Sequence, residues 1–188
     1  TEEQLRRGEV IVQGDTVKAP QVANQIALAK AVEQYDIHKI ITFHRRVRSA
    51  ASFTSVDGQG FQSHLQDCES FHVNGQMPTA ERESRMRAFR DAYRAVMSNA
   101  RCLTEGVDVP TVDMVAFLSP KRSRVDIVQA TGRAMRTAPG KATGYVFLPL
   151  LLPEATAAGV DEAVRRSVFE EIWTLLQAMQ EQDEPLAE

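Results

Sequence analysis

Residues 69–98, ESFHVNGQMPTAERESRMRAFRDAYRAVMS, contain two short runs that are predicted to be strands, separated by a helical segment. These runs lie at 69–73 and 95–98 and have the length of strands. The turn-forming NGQMP follows the first run, and a helix is predicted to begin at Thr79. The apolar stripe expected on this helix consists of Met86, Phe89 and Tyr93. Two strands joined through a helix are typically parallel, so the stretch predicts a parallel βαβ unit.

The same alternation continues on both sides of this unit. Further strands are predicted at the apolar runs 38–43, 112–118 and 143–152. Further helices are predicted from Ala19 to near Tyr35, over about 45–56, from Ser123 onward, and in the amphipathic segment 160–182. Strands that alternate with helices predict an α/β fold, an open parallel sheet with helices on both faces and a C-terminal helix.

Composition limits the class of protein. The chain has 188 residues, 43% of them hydrophobic and 25% charged, with a net charge of −3. The two cysteines, Cys68 and Cys102, have no metal-ligand spacing, which argues against a disulfide scaffold or a structural zinc site. No apolar run approaches the ~18 residues that a membrane-spanning helix needs. We therefore expect a cytoplasmic domain with no membrane partner and no metal ligands of its own.

The segment QATGRAMR, 129–136, is the first candidate for chemistry. Gln129, Arg133 and Arg136 stand at i, i+4 and i+7, on one face of the helix predicted from Ser123. Two guanidinium groups and an amide aimed in one direction suit a polyphosphate. A solvated arginine face would give the same pattern.

Three other segments follow predicted strands, where ligands of open α/β sheets bind. In 103–110, LTEGVDVP, Gly106 permits close approach of a ligand and Asp108 could accept hydrogen bonds from a ribose, although a plain turn fits as well. The basic 43–48, FHRRVR, suits a nucleic-acid backbone or a solvated helix start. The fourth segment begins at 72 with HVNG, where Gly75 offers backbone N–H groups, and it points to no particular ligand on its own.

Order and spacing make these segments more specific than each is alone. They resemble the C-terminal RecA-like domain of superfamily 2 helicases and translocases of the DEAD/DEAH type, from about Ala19 to Pro149. The matching segments are ITFHRRVRSA (41–50, motif IV), FHVNGQMPTAERESRMRAF (71–89, the following strand–turn–helix), CLTEGVDVP (102–110, motif V) and QATGRAMR (129–136, motif VI).

The resemblance implies a role for each matching residue. Arg133 and Arg136 would act on the γ-phosphate of ATP as the catalytic arginines. The nucleotide-binding residues would be Gln129, Gly106 and Asp108, and the nucleic-acid-binding residues would be His44, Arg45, Arg46 and Gly75. The leading glutamine of motif VI favours DNA over RNA and bacterial restriction-enzyme-like helicases as relatives. Ala100 replaces a threonine expected upstream of motif V, and Thr79 replaces a glutamine often found before the conserved arginine.

The sequence lacks the G-x-x-x-x-G-K-[ST] loop and the acidic box that hold the phosphates and Mg²⁺. In the family these belong to the preceding RecA-like domain, so we expect that domain as a partner and the chain alone to be inactive. The expected organisation is a lead-in at 1–18, the RecA-like domain at 19–150 and a helical extension at 151–188. A catalytically inactive RecA-like binding module is an alternative. An unrelated α/β nucleotide enzyme would need a glycine-rich loop after the first strand, which HRRVRS does not supply.

Overall fold

The structure, a computed structural model, describes residues 9–12, 15–56, 60–100, 112–119, 127–128, 131–132, 143–149 and 169–183. The strands are β1 (Glu9–Val12), β2 (Asp15–Lys18), β3 (Lys39–Phe43), β4 (Glu69–Asn74), β5 (Ala95–Ala100), β6 (Met114–Phe117) and β7 (Tyr145–Phe147). The helices are α1 (Ala19–Gln34), α2 (Val47–Phe53), α3 (Thr79–Asp91) and α4 (Glu170–Asp183), with a 3₁₀ turn at Phe61–Ser63.

The described strands from β3 to β7 form a five-stranded sheet in the order β4-β5-β3-β6-β7. All four pairings are parallel. The register aligns Phe43 with Asn99 and with Phe117, so the carboxyl ends of the central strands are level. Strands β1 and β2 pair separately as an antiparallel ribbon.

Each face of the sheet carries its own buried core, as the alternation of side chains along a strand requires. On one face, Ile41, Met97 and Val115 pack with Phe89 of α3 and Ile172 of α4. The opposite core, which includes α1 and the end of α2, is built from Leu28, Val32, Ile40, Phe53, Val96 and Met114. The predicted open parallel α/β sheet with helices on both faces is confirmed.

Two details differ from the sequence expectation. Tyr93 was predicted on the buried stripe of α3, but that helix ends at Asp91 and the Tyr93 side chain is 76% exposed. Ala92 adopts extended backbone angles, so Tyr93 no longer follows the helical period. Residues 9–12 and 15–18 pair as strands within the polar segment for which no regular structure was predicted.

Side chains fasten the loops at the amino ends of the strands. Arg94 donates to the carbonyl of Ile37 at 3.1 Å and forms ion pairs with Asp36 and Asp67 at 3.0 and 2.5 Å. The carboxylate of Asp113 accepts hydrogen bonds from the backbone N–H groups of residues 38 and 39 at 3.1 and 2.8 Å. These contacts lie at the edge of the sheet opposite to the carboxyl ends of the strands.

Candidate functional site

A surface cleft lies at the carboxyl edge, where the strand order reverses. Strand β3 has β5 on one side and β6 on the other, so the connections from these strands diverge outside their carboxyl ends. Open α/β sheets bind their ligands at such a point. The cleft has a volume of about 210 Å³. Its lining includes Pro20, Gln21 and Asn24 of α1, His44 and Ser49 after β3, and Ser119 after β6.

His44 forms part of the cleft wall and is buried. Its backbone N–H donates to the carbonyl of Asn99 at 3.0 Å, and its Nε2 lies 2.9 Å from Oγ1 of Thr42. The ring packs against Phe53, with 5.1 Å between centroids. Burial, and to a smaller extent His72, lowers the pKa of His44 to about 3, so the ring is neutral at neutral pH. A neutral ring contributes shape and hydrogen bonding to this wall, and no positive charge.

Arg45 and Arg46 follow His44 directly and are both exposed. Arg46 has extended backbone angles and immediately precedes α2. Gly75 is exposed in the turn after β4, two strands away from β3 at the same carboxyl edge. The structure therefore brings the predicted nucleic-acid-facing residues to one edge, with His44 buried behind the two arginines.

A row of polar side chains crosses the sheet one or two residues before the strands end at this edge. Thr42 of β3, Ser98 of β5 and His72 of β4 are in register on neighbouring strands. Thr42 and Ser98 are fully buried, and His72 is partly buried. His72 Nδ1 lies 2.9 Å from Ser98 Oγ, which in turn donates to the carbonyl of Ala50 in α2 at 2.7 Å. Through His72 and Ser98, this polar row joins β4 and β5 to α2.

The polar row went unnoticed in the sequence. The buried strand AVMSNA places a serine and an asparagine at the end of an otherwise apolar run. These two polar residues were the feature of the sequence that could have indicated buried hydrogen bonds here. Buried hydroxyl groups need partners, because an unpaired buried polar group costs about 1–3 kcal/mol. The alignment of Ser98 with His72 and Thr42 depends on the strand register, which sequence patterns do not specify.

The predicted nucleotide-binding and catalytic residues lie outside the described part of the chain. They are Gly106, Asp108, Gln129, Arg133 and Arg136. The described residues nearest to motif VI are helical, and Ile127 and Thr131 are fully buried whereas Val128 is 41% exposed. Within the described residues, no cluster of three or more His, Cys, Asp or Glu side chains could hold a metal ion. No helix in that part of the chain has the length and apolar character to cross a membrane.

Comparison with known proteins identifies the family. The profile of the "Helicase conserved C-terminal domain" matches residues 22–138. The chain is similar to the Type ISP restriction-modification enzyme LlaBIII, solved bound to DNA, with a TM-score of 0.70 and 28% identity over 87% of this chain and 12% of that one. UvrABC system protein B of Lacticaseibacillus casei is 27% identical over 143 residues, which are 72% of this chain and 21% of that protein.

The fold is also that of Mss116p DEAD-box helicase domain 2, solved bound to an RNA duplex, at a TM-score of 0.53 and 21% identity over 67% of this chain and 50% of that one. The fold and the family match together define a C-terminal RecA-like domain of a superfamily 2 helicase. The chain belongs to the helicase conserved C-terminal domain family. It spans from 8% to 21% of the length of the curated relatives it matches.

Proposed function

We propose that this domain is the second motor domain of an ATP-dependent DNA helicase or translocase. The observation that carries the proposal is the similarity to LlaBIII, which extends over 87% of the chain at 28% identity and in both sequence and fold. LlaBIII is an ATP-dependent enzyme and its structure contains DNA. The similarity to UvrABC system protein B and the leading Gln129 of motif VI also favour DNA. Mss116p is similar at 21% identity, which supports the shared fold alone.

In this proposal, ATP binds between this domain and a preceding RecA-like domain that supplies the phosphate loop and most ligands of Mg²⁺. Arg133 and Arg136 stabilise the charge that develops on the γ-phosphoryl group, as arginines do in many phosphoryl-transfer sites. Gln129, Gly106 and Asp108 complete the contacts to the nucleotide. Near Gln129 and Arg133, the described residues Ile127 and Thr131 are helical and fully buried.

DNA, in the same proposal, runs along the carboxyl edge of the sheet. The exposed guanidinium groups of Arg45 and Arg46 contact phosphates, and the exposed Gly75 lets the backbone approach the strand closely. His44 serves as the buried wall behind these residues, since its neutral ring is held by Thr42 and Phe53. Phosphate contacts of this kind fix the position of the strand without reading its sequence.

The arginine assignment is tested in the full-length protein that contains this domain. We expect Arg133→Ala and Arg136→Ala each to lower kcat for ATP by about 10²–10³, the loss typical of one preorganised charge-stabilising group. KM for ATP should change much less, because the contact strengthens mainly in the transition state. Arg87→Ala, at an exposed position on α3, is the matched control and should keep wild-type turnover.

Each alternative gives a different result in this experiment. Arginines on a solvated face would leave kcat and KM unchanged, and arginines in a structural ion pair would lower the melting temperature and the soluble yield. A full-length wild-type protein that binds DNA and does not hydrolyse ATP would identify the inactive binding module instead.

A further inference from the structure

A chain of hydrogen bonds runs from the turn after β4 to the end of α2 through the polar row. The backbone N–H of Gln76 donates to Oδ1 of Asn74 at 2.9 Å, and Nδ2 of Asn74 lies 3.1 Å from Nε2 of His72. Nδ1 of His72 lies 2.9 Å from Oγ of Ser98. The Ser98 hydroxyl then donates to the carbonyl of Ala50 at 2.7 Å.

The two ends of this chain determine where every proton lies. A backbone N–H can only donate and a carbonyl oxygen can only accept. Asn74 therefore presents its oxygen to Gln76 and its NH₂ group to His72. The single proton of the Ser98 hydroxyl is used on Ala50, so Ser98 must accept from His72.

His72 is consequently neutral, with its proton on Nδ1 and a lone pair on Nε2. The other neutral tautomer would set Nε2–H against the NH₂ group of Asn74. A rotated Asn74 amide would accept that proton but would then set its NH₂ group against the N–H of Gln76. Ser98 would also have to donate to His72, which would leave the carbonyl of Ala50 with only the longer hydrogen bond from Thr54 at 3.3 Å. Each rearrangement leaves two donors facing each other, which is costly.

The carbonyl of Ala50 needs side-chain donors because α2 ends next to it. The N–H of Thr54, the usual helical partner of that carbonyl, donates to Ala51 at 3.2 Å instead. Two hydroxyl groups donate to the carbonyl of Ala50, that of Ser98 at 2.7 Å and that of Thr54 at 3.3 Å, and the two hydroxyl oxygens lie 3.1 Å apart. The end of α2 is thus held by a side chain from β5 that is itself oriented by His72.

We propose that His72 is a positioning residue, which in its Nδ1–H form links the turn carrying Gly75 to α2, the helix that follows Arg45 and Arg46. The inference rests on the proposed function, because it concerns two segments of the proposed DNA-binding edge. The link lets the turn and the arginines keep one fixed spacing, so that both can contact phosphates of the same DNA strand.

The surroundings of His72 favour the neutral form. Burial, followed by the nearby Arg85, lowers its pKa below the usual 6.5, and the hydrogen bond with Ser98 opposes this in part. Arg85 of α3 donates to the His72 carbonyl at 2.8 Å and pairs with Glu81. Among the described residues, His44 after β3 is a further titratable neighbour, and it is neutral at neutral pH. Protonation of His72 at acid pH would place Nε2–H against Asn74 and break the link.

The first measurement is ¹⁵N NMR of the histidine rings in the 188-residue chain. We expect His72 at neutral pH to show a protonated Nδ1 and an unprotonated Nε2. During acid titration, the amide resonances of Gln76 and of residues 51–54 should shift with the same midpoint as the His72 ring. A protonated Nε2 at neutral pH, or α2 resonances that do not follow His72, would overturn the inference.

Asn74→Asp tests the direction of the chain, with Gln76→Glu as its matched control. Both variants add one negative charge to the same turn, but the Gln76 side chain is exposed and takes no part in the chain. The carboxylate introduced by Asn74→Asp can only accept, so it favours Nε2–H and should raise the pKa of His72 by about one unit or more. The control should raise that pKa clearly less. Equal shifts in the two variants would contradict the link.

DNA binding supplies the functional arm of the test. With a fluorescein-labelled single-stranded oligonucleotide at low salt, we expect Asn74→Asp to bind at least about threefold more weakly than Gln76→Glu. The added charge is matched, so the difference measures the lost position of the turn. Equal affinities would refute the positioning role. A wild-type chain that binds no DNA would count against the proposed DNA-binding edge, while the tautomer and the shared midpoint would still decide whether His72 links the two segments.

Discussion

His44 carries a ring whose protonation the fold suppresses. It is 9% exposed, lies against Phe53 and shares a hydrogen bond with Thr42, and burial lowers its pKa to about 3. In the unfolded chain the same ring has an ordinary pKa near 6.5. At mildly acid pH, His44 is therefore protonated in the unfolded state and stays neutral in the folded state. This contribution to stability is complete above pH 6.5 and is lost as the pH falls toward 3.

We expect this difference to appear in urea unfolding at pH 7 and pH 4. Between 6.5 and 4, His44 alone accounts for a loss of at most about 3 kcal/mol in the free energy of unfolding, at ~1.36 kcal/mol per pH unit. His44→Gln, which has no titratable ring, should lose correspondingly less between the two pH values. Other titrating groups contribute to both proteins and cancel in the comparison. Equal losses in the two proteins would show that the ring is not kept neutral by burial.

At the scale of single elements, Gly60 lets the chain entering the 3₁₀ turn pass close to the backbone of Ser55. A Cβ at this position would stand 2.0 Å from the backbone oxygen of Ser55 and 2.9 Å from its nitrogen. The carbonyl of Gly60 also accepts hydrogen bonds from the backbone and the hydroxyl of Ser63, at 3.1 and 2.7 Å. The turn carries Phe61, which is fully buried and stacks on Phe53 of α2.

Gly60→Ala should therefore destabilise the domain strongly, by about 2–4 kcal/mol, because two backbone segments must separate. Gly132→Ala is the matched substitution in a helical position, where a Cβ would meet nothing within 4 Å. Since no atom of the described residues would meet that Cβ, the change should stabilise the domain by about 0.5–1 kcal/mol through helix propensity. Urea denaturation of both variants measures whether the free energy of unfolding falls or rises, and a Gly60→Ala protein as stable as wild type would contradict the contact.

The elements show how far sequence reasoning extends. The strands were predictable because β3, β5 and β6 are buried on both faces and so form continuous apolar runs. The four-residue strands β1 and β2 were not, since runs this short become strands only through their mutual pairing. The end of α3 was misjudged by two residues, because the sequence period continues to Tyr93 while the helix ends at Asp91 and the backbone becomes extended at Ala92.

Of the candidate site, the sequence predicted only those placements that follow directly from a residue's position after a strand. The placement of Arg45, Arg46 and Gly75 at one edge follows from their position after parallel strands. The burial of His44 and the link through His72 do not, because they depend on register and on where α2 ends. The roles of Gln129, Arg133 and Arg136 stay predictions, as do those of Gly106 and Asp108.

At the scale of the whole molecule, the proposed ATP site is shared between two domains. The sequence contains no phosphate-binding loop of the Walker type, and the described residues hold no acidic cluster for Mg²⁺. We therefore expect the 188-residue chain to hydrolyse ATP no faster than a buffer blank, with or without DNA. Adding the preceding RecA-like domain in the full-length protein should restore turnover. A phosphate-release assay on both proteins makes the comparison, and motor-like turnover by the short chain would refute the division of the site.

The hydrogen bond and ion pairs of Arg94 at the amino ends of the strands have a mechanical consequence for a proposed motor domain. All strands of the described five-stranded sheet point the same way, so a load on their carboxyl ends pulls them side by side, in shear. Arg94 and Asp113 tie loops and strand starts together at the far end, with the Arg94 side chain only 12% exposed. The sheet is thereby anchored at the end opposite to α2 and the turn at Gly75. In the proposed motor domain, we expect a displacement at the carboxyl edge to move the sheet as a rigid body instead of being absorbed by sliding strands.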